Sequence, residues 1–341
     1  MSKGIIGAGN WIMDKVKMID RWPQEGELCN ITTQEMGGGG GPCNILFDIA
    51  AMKCDIPLYA CGVVGKDADG DLLLQQINEK NIDSRFMSIS ATQPTSFTDV
   101  MTVIRNGRRT FFHNRGANAE FNFSHIENID TDAKIFYLGY LLLLDGMDRE
   151  DPEFGTVAAR VLSCMRAKGC KTVVDVVSED RPKFQKIVPS SLKYTDCLVI
   201  NEVEAECCSD IAVRTEDGEI NIKALIDAAK HLFEGGVNEL VVIHFPEGAV
   251  AMQKDGTVDA MESYPMDRED IVGSVGAGDA FCAGIVYGLH EGLSIPEMLK
   301  MASVSAFFNL QSATATGGAP EISQLKAVID AYEFKSLEFD K

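Results

Sequence analysis

The stretch Gly273-Ser274-Val275-Gly276-Ala277-Gly278-Asp279-Ala280-Phe281 decides how this chain is read. It is a glycine-rich turn entering a helix, because Phe281, Ile285 and Leu289 follow at four-residue spacing, the stripe of one helical face. The first amides of a helix have no partner inside it, and the helix dipole is positive there, so the turn suits a phosphate. Gly276 and Gly278 remove the Cβ atoms that would hold a ligand away from the backbone. A carboxylate in the same turn opposes simple anion binding. Asp279 instead suits proton abstraction from a hydroxyl while the neighbouring amides hold the phosphoryl group under attack. The alternative for the same residues is a helix cap behind a tight turn.

Composition narrows the field. The 341 residues are 45% hydrophobic and 24% charged, enough for one large or two modest globular domains. A formal charge of −20 argues against nucleic acid or an anionic membrane as partner, since both require a basic surface. The start of the chain lacks the charged, apolar and cleavage regions of a signal peptide. The longest apolar run, 135–144, is too short to cross a bilayer, so a soluble cytoplasmic protein is expected. The 10 cysteines lack framework spacing and read as reduced thiols; the 5 histidines form no ligand array, so no structural zinc is expected.

Along the chain, residues 3–7 read as a buried strand ending in Gly7-Ala8-Gly9-Asn10. A dinucleotide fingerprint needs a helix next, yet Val16, Met18 and Asp20 alternate as in another strand. Asn10 and Asp14, expected at a strand's end, can then hydrogen-bond a polyhydroxylated ligand or act as turn-stabilising residues. A polar strand over 27–36 runs into five glycines, 37–41, ahead of Asn44 and a helix over 45–53. Five glycines cost conformational entropy unless backbone must approach a ligand. A strand over 58–64 and a helix over 70–80 follow, and Asn106-Gly107 marks a hairpin between 98–104 and 109–113. From residue 130, strands at 134–138, 172–176, 197–200 and 240–243 alternate with helices at 154–168, 222–234, 279–289 and 295–309. That rhythm predicts a parallel sheet covered on both faces, with ligands beyond the strands' C-terminal ends, where Asn201 and Glu204 sit.

The opening stretch resembles the C-terminal signature of the ribokinase (PfkB) family of carbohydrate and nucleoside kinases, Asp-Thr-x-Gly-Ala-Gly-Asp-x-Phe. Gly39, Gly40 and Asn44 match that family's N-terminal pattern Gly-Gly-x-x-x-Asn. The resemblance implies a ribokinase-like three-layer α/β/α sandwich with a central, mostly parallel sheet and a small β-sheet lid. The core would comprise 1–14, 37–95 and 119–341; the lid would comprise 15–36 and 96–118 and, as in many members, form a homodimer contact. It also implies ATP and Mg2+, with Asp279 as catalytic base and Gly276, Ala277 and Gly278 as anion hole. Asn10, Asp14, Gly39, Gly40 and Asn44 would contact the sugar.

Arg115, ahead of Gly116-Ala117-Asn118, is similar to an arginine in members that phosphorylate acidic sugars; a solvated surface arginine is the alternative. Asn201 and Glu204 resemble an Asn-x-x-Glu motif that places magnesium and phosphate through water, with a plain helix cap at Asn201 as rival. His244 and Gly248 fall at the nucleotide, but His244 and Pro246 stand where the family carries Thr-x-Gly. Gly273-Ser274-Val275 replaces the family's Asp-Thr-Thr, so the Asp that helps hold an activating monovalent cation in the family is not matched here and that site stays open.

These readings point to phosphoryl transfer from ATP to a sugar-like hydroxyl. A nucleoside kinase is the alternative suggested by the Asn10-x-x-x-Asp14 spacing, with Trp11 or Phe97 as a shelf for the base. A catalytically idle sugar- or nucleotide-binding protein of the same fold is another. The sequence has no Walker motif and no protein-kinase signature.

Overall fold

Strand β1 (Ile5–Gly9) is buried along its whole length, as a strand must be when helices cover both faces of its sheet. The structure, a computed structural model, describes residues 3–105, 107–179 and 181–338. After β1 come β2 (Ile12–Ile19), β3 (Ile31–Gly39), α1 (Gly41–Ala51), β4 (Leu58–Gly65), α2 (Ala68–Glu79), β5 (Asp83–Ser90), β6 (Phe97–Val103) and β7 (Arg109–Asn114). The chain continues through β8 (Ile135–Leu141), the short pair β9 (Glu150–Asp151) and β10 (Gly155–Thr156), α3 (Val157–Ala167), β11 (Lys171–Val176) and α4 (Arg181–Leu192). Next are β12 (Cys197–Asn201), α5 (Glu202–Ser209), α6 (Ile222–Glu234), β13 (Leu240–Phe245), β14 (Gly248–Gln253) and β15 (Val258–Glu262). Helices α7 (Ala277–Glu291), α8 (Ile295–Leu310) and α9 (Ile322–Ala331) complete the order.

The large sheet runs β15-β14-β13-β12-β11-β8-β1-β4-β5. It is parallel from β13 to β5, and β14 and β15 add an antiparallel edge. A separate sheet, β3-β2-β6-β7, forms from the polar segments and the hairpin. Asn106 of that hairpin turn lies outside the described residues. The architecture is thus the three-layer sandwich with a small second sheet.

Several elements differ from the sequence reading. Asp14 does not end a strand: it lies within β2, opposite Gly37. Strands β2 and β3 extend past 15–36, to Ile12 and Gly39, so the small sheet reaches to the edge of the large one. Helix α1 begins at Gly41 because Pro42 occupies the first turn, where its missing N–H costs nothing. Helix α4 carries Pro189 and was not anticipated. The C-terminal ends of β1, β8 and β12 and the N-termini of α1, α5 and α7 define the edge that holds the candidate site.

Candidate active site

Helix α7 starts behind Gly276, whose φ of 77° is a left-handed conformation that favours glycine. A Cβ there would also meet the Ala315 carbonyl oxygen at 2.6 Å. Asp279 sits in the first turn, buried. Its Oδ2 accepts from Asn44 Nδ2 at 2.8 Å, and its Oδ1 accepts from the Tyr140 hydroxyl at 2.7 Å. Asn44 comes from the first turn of α1 and Tyr140 from the C-terminal end of β8, so three segments distant in sequence fix one carboxylate. Burial pushes the Asp279 carboxyl up to about 6, against the pull of its two donors. It is therefore mainly ionised at neutral pH, yet more basic than an exposed aspartate.

Asp14 faces the same region. Burial first, and then the charge of Asp279, push its carboxyl up to about 7, while a hydrogen bond from Thr98 opposes them. A Cβ at Gly39 would lie 2.1 Å from Asp14 Oδ2. Gly40, with φ of 87°, would place one 2.2 Å from the Asn10 carbonyl oxygen. The glycine run thus lets the backbone pass directly against Asn10 and Asp14. Asn10 is fully buried, its backbone N–H donating to Gly139 O at 2.9 Å and Nδ2 to Tyr140 O at 3.4 Å. The Oδ1 atoms of Asn10 and Asn44 are buried without a hydrogen-bond partner. Two orphan acceptors beside two carboxylates call for a ligand that donates, as a polyol does.

Ala277 and Gly278 also line a cleft of about 680 Å³, together with Asn201, His244, Tyr264 and Phe307. The His244 ring stacks on Phe281 with centroids 4.9 Å apart, and its Cε1 lies 3.3 Å from where a Gly278 Cβ would be. Burial lowers His244 to about 4, so it meets the cleft as a neutral imidazole. Gly248 opens β14 opposite Phe245, packed toward the Met261 carbonyl, and does not line the cleft. Ala306 and Leu310 of α8 add apolar wall beside Ser303, whose Oγ accepts from Tyr264 N at 2.7 Å.

Asn201 caps α5. Its Oδ1 accepts from Glu204 N at 2.9 Å, while its own N–H donates to Glu204 Oε2 at 3.0 Å. Ser178 Oγ donates to the other oxygen, Oε1, at 3.0 Å. Both Glu204 oxygens are thereby engaged, and among the described residues no cluster of three or more His, Cys, Asp or Glu forms a metal cage. This donor set fits a Mg2+ held mainly by phosphate oxygens and water rather than by a cage of protein ligands.

The profile of the pfkB family carbohydrate kinases matches residues 10–322. The chain belongs to that family. It is 25% identical over 325 residues to ribokinase of Lactococcus lactis subsp. lactis, covering 95% of this chain and 96% of the relative. Arabidopsis thaliana ribokinase, solved with ribose and ATP, shares the fold with a TM-score of 0.76 at 21% identity, covering 96% of this chain and 99% of that one. The nucleoside kinase of Methanocaldococcus jannaschii gives 0.75 at 14% identity, covering 97% and 100%. The protein is accordingly a phosphotransferase that acts on a sugar-type hydroxyl. Among the described residues, no helix is long and apolar enough to cross a membrane.

This kinase does not bring every residue of the sequence reading to Asp279. Arg115 pairs with Asp145 at 2.8 Å and Glu179 at 3.1 Å, beside a separate cavity that His113 also lines. Trp11 is fully buried and donates its indole N–H to the Cys61 carbonyl at 3.0 Å, which closes it as a shelf for a base. Gly273 abuts residues 312 and 313, where a Cβ would lie 2.5 Å from Ser312 O, so the loop has no room for an acid at that position. Tyr140 and Thr98 were missed. Tyr140 carried a signal, since it lies at the C-terminal end of an apolar parallel strand, where ligands to such sheets bind.

Proposed function

We propose that this kinase transfers the γ-phosphoryl group of ATP to a hydroxyl of a sugar or sugar-like alcohol. What carries the reading is the buried Asp279 carboxylate, held between Asn44 and Tyr140 in the first turn of α7. Asn10, Asp14 and Asn44 hold the acceptor, with Gly39 and Gly40 giving its hydroxyls room. Asp279 takes the hydroxyl proton as the acceptor oxygen bonds to phosphorus; the bond to the departing ADP oxygen breaks. The amides of Gly276, Ala277 and Gly278 stabilise charge on the transferred group. Bound to the nucleotide, Mg2+ supplies neutralisation of phosphate charge, with Asn201 and Glu204 orienting its waters.

His244 packs against Phe281 and limits the phosphate end of the cleft, while Tyr264 and Phe307 offer an apolar place for the adenine. Gly248 serves by holding the turn after β13 tight. Arg115 acts on the acceptor only if Asp145 and Glu179 release it, which favours a neutral sugar. Residues 15–36 and 96–118 form the lid, which excludes water from the transfer and limits ATP hydrolysis. Exposed Phe111 and Phe112 of β7, with Trp22 of the β2–β3 connection stacked on Phe112, favour a homodimer contact through the lid. A cytoplasmic location suits this use of ATP.

The deciding experiment is ADP release across sugars, sugar acids, polyols and nucleosides, with Mg2+ and with or without potassium. Turnover is expected with a neutral sugar. Tight sugar binding without ADP release from any member of the panel would instead indicate an idle binding protein.

A further inference from the structure

Asp48 lies within α1 with 4% of its surface exposed, and both of its carboxyl oxygens are buried without a hydrogen-bond partner among the described residues. An ionised carboxylate without donors is strongly disfavoured in such a place. Burial first, and then the charge of Asp279, raise the Asp48 carboxyl well above the usual carboxylate range. Lys80 opposes them only from a distance, its ammonium held 4.9 Å from the centroid of the Phe47 ring. Asp48 is therefore protonated at neutral pH, and its buried O–H needs an acceptor.

Asn44 stands one turn before it on the same helix. Side chains four residues apart share a helical face, and their Cα–Cβ bonds tilt toward the N-terminus, so the Asp48 carboxyl reaches back toward Asn44. That face meets α7, where Asn44 Nδ2 donates to Asp279 Oδ2 at 2.8 Å. Asn44 Oδ1 is buried and receives no donor from the described residues. A buried donor in want of an acceptor and a buried acceptor in want of a donor thus occur one turn apart. Oδ1 has two lone pairs, so a bond from Asp48 leaves one for the acceptor substrate.

We propose that Asp48 is a positioning residue for the base: as a neutral carboxylic acid it donates to Asn44 Oδ1 and so keeps Nδ2 turned to Asp279. The amide then bridges two acids of which one is charged. An ionised Asp48 would draw Nδ2 to itself, and the turned amide would set Oδ1 against the Asp279 carboxylate. The proton on Asp48 thus goes with the charge on Asp279. Besides Asp279 and Lys80, Asp48 faces Cys43 of its own helix, whose thiol burial first, and then nearby carboxylates, hold well above its ordinary range. The proposal rests on the kinase reading above, in which Asp279 is the base.

Infrared difference spectra of wild type against Asp48→Asn at pH 8 test the proton directly. The wild type is expected to show the carbonyl band of a protonated carboxylic acid, shifted in D2O and absent from the variant. Carboxylate bands in its place overturn the proposal whatever the activity. Kinetics with the acceptor found by the ADP-release panel test the positioning. Asp48→Leu, without a donor, is expected to lower kcat by about 10-fold at pH 6.5, the low end for a hydrogen bond to a charged group, and to move the acid limb of kcat/KM to higher pH. Asp48→Asn keeps a donor for Oδ1 and is expected to restore the limb. Thermal melting checks that both variants are folded. A folded Asp48→Leu with the wild-type limb and kcat overturns the positioning role alone. A wild type that turns over no member of the panel overturns the kinase reading, and the catalytic part of this proposal with it.

Discussion

Tyr140 donates its hydroxyl to Asp279 Oδ1 at 2.7 Å, so the residue at the end of a central strand, together with Asn44, tempers the basicity that burial gives the carboxylate of α7. That hydrogen bond lowers the Asp279 pKa against the effect of burial. Tyr140→Phe removes it, and the acid limb of kcat/KM is expected to move to higher pH. The loss of one hydrogen bond to a charged group should cost about 10-fold in kcat at pH 6.5 and less at pH 8. A pH profile of the variant superimposable on wild type would contradict this role.

Asp279, at about 6, ionises before Asp14, which burial first and then the charge of Asp279 push up to about 7. Wild-type kcat/KM is expected to rise with pH through this range as Asp279 ionises. Asp14 is still protonated when Asp279 ionises, so Asp14→Asn should leave that limb in place while raising the KM for the acceptor. Measuring kcat/KM from pH 5 to 8 for both proteins checks the direction.

Burial of Asp279 also makes a stability statement. Its folded-state value of about 6 lies above the ordinary 3.8, so the folded chain holds the proton more tightly than the unfolded chain. Its contribution to stability is complete below pH 3.8 and is lost as pH rises to 6. Asp279→Asn should therefore be more stable than wild type at pH 8, by about 1–3 kcal/mol, an advantage that disappears near pH 4. Urea melts at the two pH values test the sign; an advantage at pH 4 but not at pH 8 would refute it.

Gly40 has both a left-handed backbone and a neighbour too close for a side chain, with a Cβ 2.2 Å from Asn10 O. Gly40→Ala is expected to destabilise by about 1–3 kcal/mol and to displace Asn10, raising the acceptor KM more than the ATP KM. An unchanged acceptor KM would show that Asn10 lies off the acceptor.

The alternation of strands and helices after residue 130 made the parallel core legible, because buried parallel strands are short apolar runs that punctuation separates. The turns at 37–41 and 276–279 were legible because glycine chemistry there is local. Strand β5 was missed because Asp83, Ser84, Arg85, Ser88 and Ser90 give this edge strand a polar composition, and α4 because Pro189 reads as a breaker. Tyr140 and Thr98 meet carboxylates far away in the chain, Asp279 and Asp14. Their roles depend on where a strand ends and which loop folds over it, and no local pattern records that. The capping box joining Asn201 to Glu204 shows the converse: one motif can both stop a helix from fraying and face a cleft.

The account depends most on Asp279 as the group that accepts the hydroxyl proton. With the acceptor found by the ADP-release panel, Asp279→Asn should lower kcat by at least about 100-fold while ATP binding and cooperative melting persist. A folded Asp279→Asn protein that keeps near-normal kcat with that acceptor would contradict it.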